Sequence, residues 1–225
     1  MVTFPVMPVA VVVHADTGSG PAVCRRLAGD GFEVRPLAGI SVNRQTVGEA
    51  VALASVDGID LLVNNGPALG SELALGGPLQ FSYALETGLN GLFSACREAA
   101  RIAIGRRESL TIVNIISALA SVGLAGRAAE ACISSGVLAA TKALAAEWGP
   151  SRVRVVAVMV GPTDEWLDES GSLDGVPGVV PLGRTVSHED VAAAVSALVG
   201  PDLTGLTGQA VIVDGGWLAH GWRRD

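Results

Sequence analysis

Short runs of aliphatic, mostly β-branched residues alternate with longer segments of helical composition along the whole chain. The apolar runs predict strands at residues 10–13, 33–37, 61–64, 111–115, 154–159 and 210–213, because strands buried on both faces read as nearly continuous hydrophobic stretches. The segments between them predict helices at 22–28, 46–54, 81–104, 128–148 and 189–199. Strands that alternate with helices imply right-handed crossovers and a parallel sheet. We therefore expect one α/β domain over residues 1–225, with a doubly wound parallel sheet and helices on both faces.

Composition fits this fold and narrows the range of partners. Hydrophobic residues make up 49% of the 225 residues and charged residues 16%, which provides a large apolar core. The formal net charge of -7 argues against nucleic acid or an anionic membrane as a partner. No run reaches transmembrane length without Gly, Pro or a charge. Cys24, Cys96 and Cys132 lack metal-ligand spacing, so we expect free thiols, no metal site and a cytoplasmic location.

Glycines and polar residues follow several of the predicted strands. Gly18 and Gly20 come directly after the first strand, where amides at a helix N-terminus can approach a pyrophosphate. Further motifs follow in the order Asn64-Asn65-Gly66, Asn114-Ile115-Ile116-Ser117, Pro181-Leu182-Gly183-Arg184 and Val213-Asp214-Gly215-Gly216. In this order the segments resemble the short-chain dehydrogenase/reductase family over almost the whole chain. The resemblance implies a Rossmann-type sheet of about seven strands, which agrees with the alternation above.

The resemblance also implies a dinucleotide site, and here the chain departs from the family pattern. Anchoring the last two glycines of the family motif TGxxxGxG on Gly18 and Gly20 puts His14 where the first glycine is expected. Asn64 and the next asparagine are kept, but Gly66 and a proline replace the expected Ala-Gly. We expect His14 to fill space left by the cofactor, with a catalytic base as the alternative.

The chain after the second predicted strand is shorter than in family members, which place another helix and strand there as the wall of the adenine pocket. Near Ala38 no carboxylate is available for the ribose hydroxyls that NAD presents. Arg35 or Arg44 could meet a 2′-phosphate, or could be an ordinary solvated side chain. The expectation is that no cofactor binds, with NADP(H) as the alternative.

The catalytic set that the resemblance implies is largely replaced. The family uses a tyrosine as proton donor, a lysine four residues later that lowers its pKa, a serine that orients the substrate, and an asparagine on the preceding helix. Ser117 matches the serine, whereas Glu130, Ser134 and Gly88 occupy the tyrosine, lysine and asparagine positions. The single tyrosine and the single lysine of the chain lie elsewhere. We therefore expect Glu130 to have no cation beside it.

These residues leave three functions open. The favoured hypothesis is a non-catalytic subunit, a pseudoenzyme that assembles with an active family relative. The predicted helices 81–104 and 128–148 correspond to the pair that packs between family subunits, so a homo- or hetero-oligomer of such subunits is expected. The second is a non-redox enzyme, an isomerase, dehydratase or cyclase, in which Glu130 and Ser117 act on a small molecule in the former substrate cleft. The third is an unconventional NADP(H)-dependent oxidoreductase.

Overall fold

The structure is a computed structural model that describes residues 7–39, 44–66, 78–165 and 180–220. Its strands are β1 (Val9–Val13), β2 (Glu33–Leu37), β3 (Leu61–Asn65), β4 (Leu110–Ser117), β5 (Val153–Val160) and β6 (Ala210–Val213). They form one sheet in the order β2-β1-β3-β4-β5-β6, and every neighbouring pair is parallel. The Rossmann-type parallel sheet predicted from the apolar runs is confirmed.

Helices cover both faces of this sheet, as predicted. They are α1 (Gly20–Gly29), α2 (Arg44–Ala54), α3 (Pro78–Leu85), α4 (Gly91–Arg106), α5 (Ala128–Trp148), α6 (His188–Val199) and the short α7 (Trp217–His220). One core cluster joins the sheet to α2, α4 and α5, and a second joins the other face to α1 and α6. No helix within the described ranges is long and apolar enough to cross a bilayer.

The sheet has six strands in the described residues, slightly fewer than the seven that the resemblance implied. The difference lies after β2, because α2 leads directly into β3, which pairs with β1. β2 is consequently an edge strand, and Pro36 within it fits that position because proline cannot donate a ladder hydrogen bond. Within the described residues, the sheet ends at β2 on the side where the adenine wall is expected in relatives.

The helix predicted at 81–104 is interrupted. α3 continues into a π-helical turn, Glu86–Asn90, before α4 begins. Gly88 lies in this turn, and a Cβ atom there would come within 2.7 Å of Ile133 Cδ1 on α5. The glycine therefore allows α5 to approach closely at the position where family members carry asparagine. π-helical turns of this kind are frequent at functional sites.

Candidate functional site

The turn between β1 and α1 keeps the backbone geometry of a glycine-rich phosphate turn. Gly18 has a φ of 48°, which glycine adopts without strain. A Cβ atom on Gly20 would lie 2.4 Å from the carbonyl oxygen of His14, so only glycine fits there. Asn65 Nδ2 donates to the carbonyl oxygens of His14 and Thr17, at 3.0 and 2.8 Å. These bonds fix the turn against the end of β3.

His14 itself has a left-handed backbone, with a φ of 53°, which is uncommon for a residue other than glycine. Its side chain borders a small crevice with Asn64, Gly66 and Gly88, and not the main cavity described below. Its Nε2 atom is buried without a hydrogen-bond partner. Burial lowers the pKa of the His14 imidazole, and the charge of Asp16 opposes this only in part. Burial therefore disfavours the charged form of the ring.

The family resemblance predicted that Asn64 belongs to the dinucleotide site, but in the structure its side-chain amide lies in the protein interior. Asn64 Nδ2 donates to Asn114 Oδ1 at 2.9 Å and contacts Cys96 Sγ at 3.2 Å. Asn114 Nδ2 in turn donates to Thr141 Oγ1 of α5 at 3.0 Å. Asn65, one residue later, borders the main cavity. Strand alternation explains the correction, since neighbouring side chains point to opposite faces of a sheet.

A main cavity of about 180 Å³ opens at the carboxyl ends of β3, β4 and β5. It brings together Ser117, Glu130, Ser134 and Gly88, the four positions that the resemblance aligned with the catalytic set. Gly18 and Gly66 border it as well, whereas His14, Gly20 and Asn64 do not. The remaining lining is mainly aliphatic and includes Ile115, Ile116, Ile133, Val137 and Val160. Ligands of open parallel sheets bind at this edge.

Two of the four residues support each other at the end of β4. The Ser117 amide donates to Ser134 Oγ at 3.2 Å, and Ser117 Oγ accepts from the Leu119 amide at 3.2 Å. Ser134 is buried, at 4% exposure. Its hydroxyl therefore joins α5 to β4 where a lysine would carry a positive charge into the cleft.

Glu130 does have a cation beside it, contrary to the expectation from sequence. Arg127 Nη1 lies 3.1 Å from Glu130 Oε2, and the two side chains are 3% and 18% exposed. Arg127 precedes α5, and Glu130 lies in its first turn, where a carboxylate is favoured by the helix dipole. The family motif gave no reason to inspect this arginine. The spacing of three residues on a helix was the signal that could have identified the pair.

A second polar group at the cavity was also missed. Ser19 Oγ lies 3.1 Å from His188 Nδ1, and His188 Nε2 lies 3.3 Å from Glu165 Oε1. All three residues border the main cavity. The sequence predicts a helix at 189–199, and in the structure this helix begins at His188 with Ser187 as its cap. The sequence carried no signal that Ser19, 169 residues earlier, would lie beside the ring.

The described residues fit a nicotinamide dinucleotide only in part. The glycine turn is suited to a pyrophosphate, but no described element lies beyond β2 to wall the adenine. Arg35 donates to Glu33 Oε1 at 2.8 Å and to the Ala54 carbonyl oxygen at 2.7 Å. Its guanidinium is therefore engaged away from the glycine-rich turn. Asp16, by contrast, accepts from the Gly39 amide at 3.0 Å, so the end of β2 does have a carboxylate. The fit is incomplete, and we assign no reaction step to such a cofactor.

Fold and site together define a Rossmann-type α/β protein with a ligand cleft at the carboxyl edge of its sheet. A family model described as Enoyl-(Acyl carrier protein) reductase matches residues 42–218. The BbsC subunit of (2S)-[(R)-hydroxy(phenyl)methyl]succinyl-CoA dehydrogenase from Thauera aromatica is 32% identical, covering 94% of this chain and 95% of that protein. The chain belongs to the short-chain dehydrogenase/reductase family.

Solved structures agree with this assignment. Acetoin dehydrogenase from Enterobacter cloacae superposes with a TM-score of 0.86 at 25% identity, covering 99% of this chain and 100% of that one. The 3-ketoacyl-(acyl-carrier-protein) reductase from Brucella melitensis, solved with NADH, gives a TM-score of 0.80 at 24% identity and covers 93% and 98% of the two chains. A further relative from Sinorhizobium fredii, 32% identical over 82% of this chain, is much longer, and this chain spans 35% of its length.

Proposed function

We propose that this chain is a non-catalytic subunit, a pseudoenzyme with respect to hydride transfer, that assembles with an active member of the same family. The observation that carries the proposal is the state of the catalytic positions. Glu130 is bound to Arg127 at 3.1 Å, and Ser134 is bound to the Ser117 amide at 3.2 Å. A family reductase needs a donor that releases its proton to the developing alkoxide. Neither a carboxylate held in a buried ion pair nor a hydroxyl bound to a backbone amide supplies such a proton donor.

The surfaces expected to serve assembly are well formed. α5 presents a stripe of exposed small residues at helical spacing, Cys132, Ser135, Ala139, Ala143 and Ala146, which allows close approach of a partner helix. On α4, Phe93 is 44% exposed, and exposed aromatic side chains are enriched at interfaces. The BbsC relative is named as one subunit of a dehydrogenase, which supports assembly with a second chain. The free thiols of the described residues support a reducing, cytoplasmic setting.

Native co-purification tests this proposal. A tagged copy in the source organism is expected to retain a family relative that carries an intact Tyr-Lys pair, in fixed stoichiometry. Homo-oligomers alone, with no such partner, would contradict it. Mass spectrometry of the complex identifies the second chain without any assumption about its substrate.

Cofactor titration is the second test. Trp217 borders the main cavity, so tryptophan fluorescence is expected to change when a ligand enters the cleft. We expect no saturable change with NADH or NADPH up to millimolar concentration. Saturable binding at micromolar concentration would favour the unconventional NADP(H)-dependent oxidoreductase and would overturn the pseudoenzyme.

One observation favours a second candidate, a non-redox enzyme of the isomerase, dehydratase or cyclase type. Glu130 and Ser117 face the same cavity, so a carboxylate and a hydroxyl could move and orient a proton on one small molecule. The variant Glu130→Gln, whose amide oxygen can still accept from Arg127, is expected to abolish such turnover while the fold is retained. An unchanged rate would remove this candidate.

A further inference from the structure

Ser19 lies at the N-cap position of α1, yet its hydroxyl makes no capping hydrogen bond. A serine there usually accepts from an amide of the first helical turn, and Pro21 removes one of those amides. The hydroxyl is instead 3.1 Å from His188 Nδ1. Ser19 is only 7% exposed, so this hydroxyl is directed to the imidazole and the cavity rather than to bulk water.

The other ring nitrogen of His188 completes a chain of three groups. Nε2 lies 3.3 Å from Glu165 Oε1, and a carboxylate at this distance favours the tautomer in which Nε2 carries the proton. Nδ1 then presents its lone pair to the Ser19 hydroxyl and can accept its proton. A nucleophile, a base and a carboxylate that orients the base are therefore aligned, each from a different part of the chain.

Packed helices set the distance between the nucleophile and the base. Ser19 begins α1 and His188 begins α6, and the two helices pack side by side. An ion pair between Arg25 of α1 and Glu189 of α6, at 3.2 Å, joins them next to the relay. The capping box at the start of α6 fixes the backbone of His188. Groups carried on rigid elements hold a reactive geometry better than groups on loops.

We propose that Ser19, His188 and Glu165 form a nucleophilic relay that hydrolyses short-chain acyl esters bound in the main cavity. The cavity is about 180 Å³, which suits an acyl group of a few carbons, and its aliphatic wall suits an apolar chain. The N-terminus of α1 places the positive end of the helix dipole beside Ser19, where negative charge develops on the ester oxygen. The activity involves no hydride and does not depend on assembly with a partner.

The reaction balances with water as the only co-reactant. Ser19 Oγ bonds to the ester carbonyl carbon while its proton passes to His188 Nδ1. The carbon–oxygen bond to the alcohol then breaks, and the same proton leaves with the alcohol. Water attacks the acyl-serine, gives one proton to His188, and releases the carboxylic acid as that proton returns to Ser19 Oγ. No atom is oxidised or reduced.

The experiment uses the purified full chain with a fluorophosphonate probe and p-nitrophenyl butyrate. Peptide mapping is expected to find the probe on Ser19, with time-dependent loss of ester hydrolysis. Ser19→Ala is expected to abolish labelling, and His188→Gln to slow hydrolysis about 100-fold, the ordinary contribution of a general base. The matched control is Ser135→Ala, an exposed serine of α5, which is expected to hydrolyse the ester at the wild-type rate.

Measurements on the wild-type chain alone can overturn the proposal, whatever the variants do to folding. A probe that labels no serine, or a serine other than Ser19, excludes the relay. A His188→Gln variant that is labelled as fast as the wild type and folds normally by circular dichroism also excludes it, because a merely structural tether between α1 and α6 would give that result.

Discussion

At the scale of single residues, His14 combines a left-handed backbone with a half-buried ring whose Nε2 atom is enclosed. Burial lowers the pKa of its imidazole from the ordinary 6.5, so the unfolded chain takes up a proton before the folded chain does. The free energy of unfolding should therefore fall as the pH drops below 6.5. In the variant His14→Asn the fall in unfolding free energy that comes from His14 should be absent, because asparagine does not titrate. Asparagine also tolerates the left-handed backbone. Urea unfolding of both proteins at neutral and mildly acidic pH measures the difference. An equal loss in the two proteins would contradict the prediction.

The ion pair of Arg127 and Glu130 gives a second prediction at this scale. Arg127 is only 3% exposed, so Glu130→Leu, which removes the carboxylate 3.1 Å from its guanidinium, should lower the free energy of unfolding by about 2 kcal/mol. The double variant Arg127→Met with Glu130→Leu should cost less than the sum of the single changes Arg127→Met and Glu130→Leu, because each single change already removes the interaction between the two side chains. Urea denaturation of the four proteins measures the cycle. Additive costs would show that the pair is not coupled.

Sequence reasoning identified part of this site and missed part of it for physical reasons. Ser117, Glu130 and Ser134 follow family landmarks along the chain, and they do border one cavity. Arg127 lies outside those landmarks, although its helical spacing from Glu130 was visible. Ser19 and His188 meet only because α1 and α6 pack together, and no local pattern encodes a contact over 169 residues.

At the scale of elements, α6 begins with a capping box whose carboxylate also holds the preceding loop. Asp190 accepts from Arg184 Nη1 at 2.6 Å and from the Ser187 amide at 3.0 Å. These bonds, the arginine first, hold the pKa of the Asp190 carboxyl well below its ordinary 3.8. A depressed pKa stabilises the folded state above that ordinary value, and the stabilisation is lost as the pH falls below it.

At neutral pH the free energy of unfolding of the variant Asp190→Asn is therefore expected to be about 1 kcal/mol lower than that of the wild type. The difference from the wild type should shrink once the pH falls below about 4, because the wild-type carboxylate is then protonated in the unfolded chain. Asp202→Asn, a change at an exposed position in a neighbouring short helix, is the control and should alter little. A gap between wild type and Asp190→Asn that stays constant with pH would contradict the assignment.

The order of strands and helices could be predicted from sequence almost completely, because apolar runs and helical segments alternate without ambiguity. One detail could not. No local pattern marks the π-helical turn at Glu86–Asn90, in which Gly88 lies close to Ile133 of α5. The six apolar runs already indicated six strands, and the number of about seven came from the family resemblance, whereas the chain has one helix between β2 and β3.

At the scale of the whole molecule, the adenine end and the substrate end of the cleft differ in how completely protein surrounds them. Among the described residues β2 is the edge of the sheet, so none of them forms a wall for the adenine end, while the substrate end has a cavity of about 180 Å³. The helices α4 and α5, which we propose for assembly, are regular, and their buried sides pack in one core cluster. This combination is the one expected of the proposed non-catalytic subunit.

Assembly through α4 and α5 gives the last prediction. Phe93→Asp places a charge on the exposed outer face of α4, where the phenyl ring is 44% exposed. A charge without a partner at the centre of an apolar interface is strongly unfavourable, so the complex should dissociate while the circular dichroism spectrum stays unchanged. Leu53→Asp, at 78% exposure on the different helix α2, adds the same charge outside α4 and α5 and should leave the mass unaltered. Light scattering after gel filtration measures both. Equal masses for wild type and Phe93→Asp would place the contact elsewhere, and equal dissociation of the two variants would indicate a general effect of added charge.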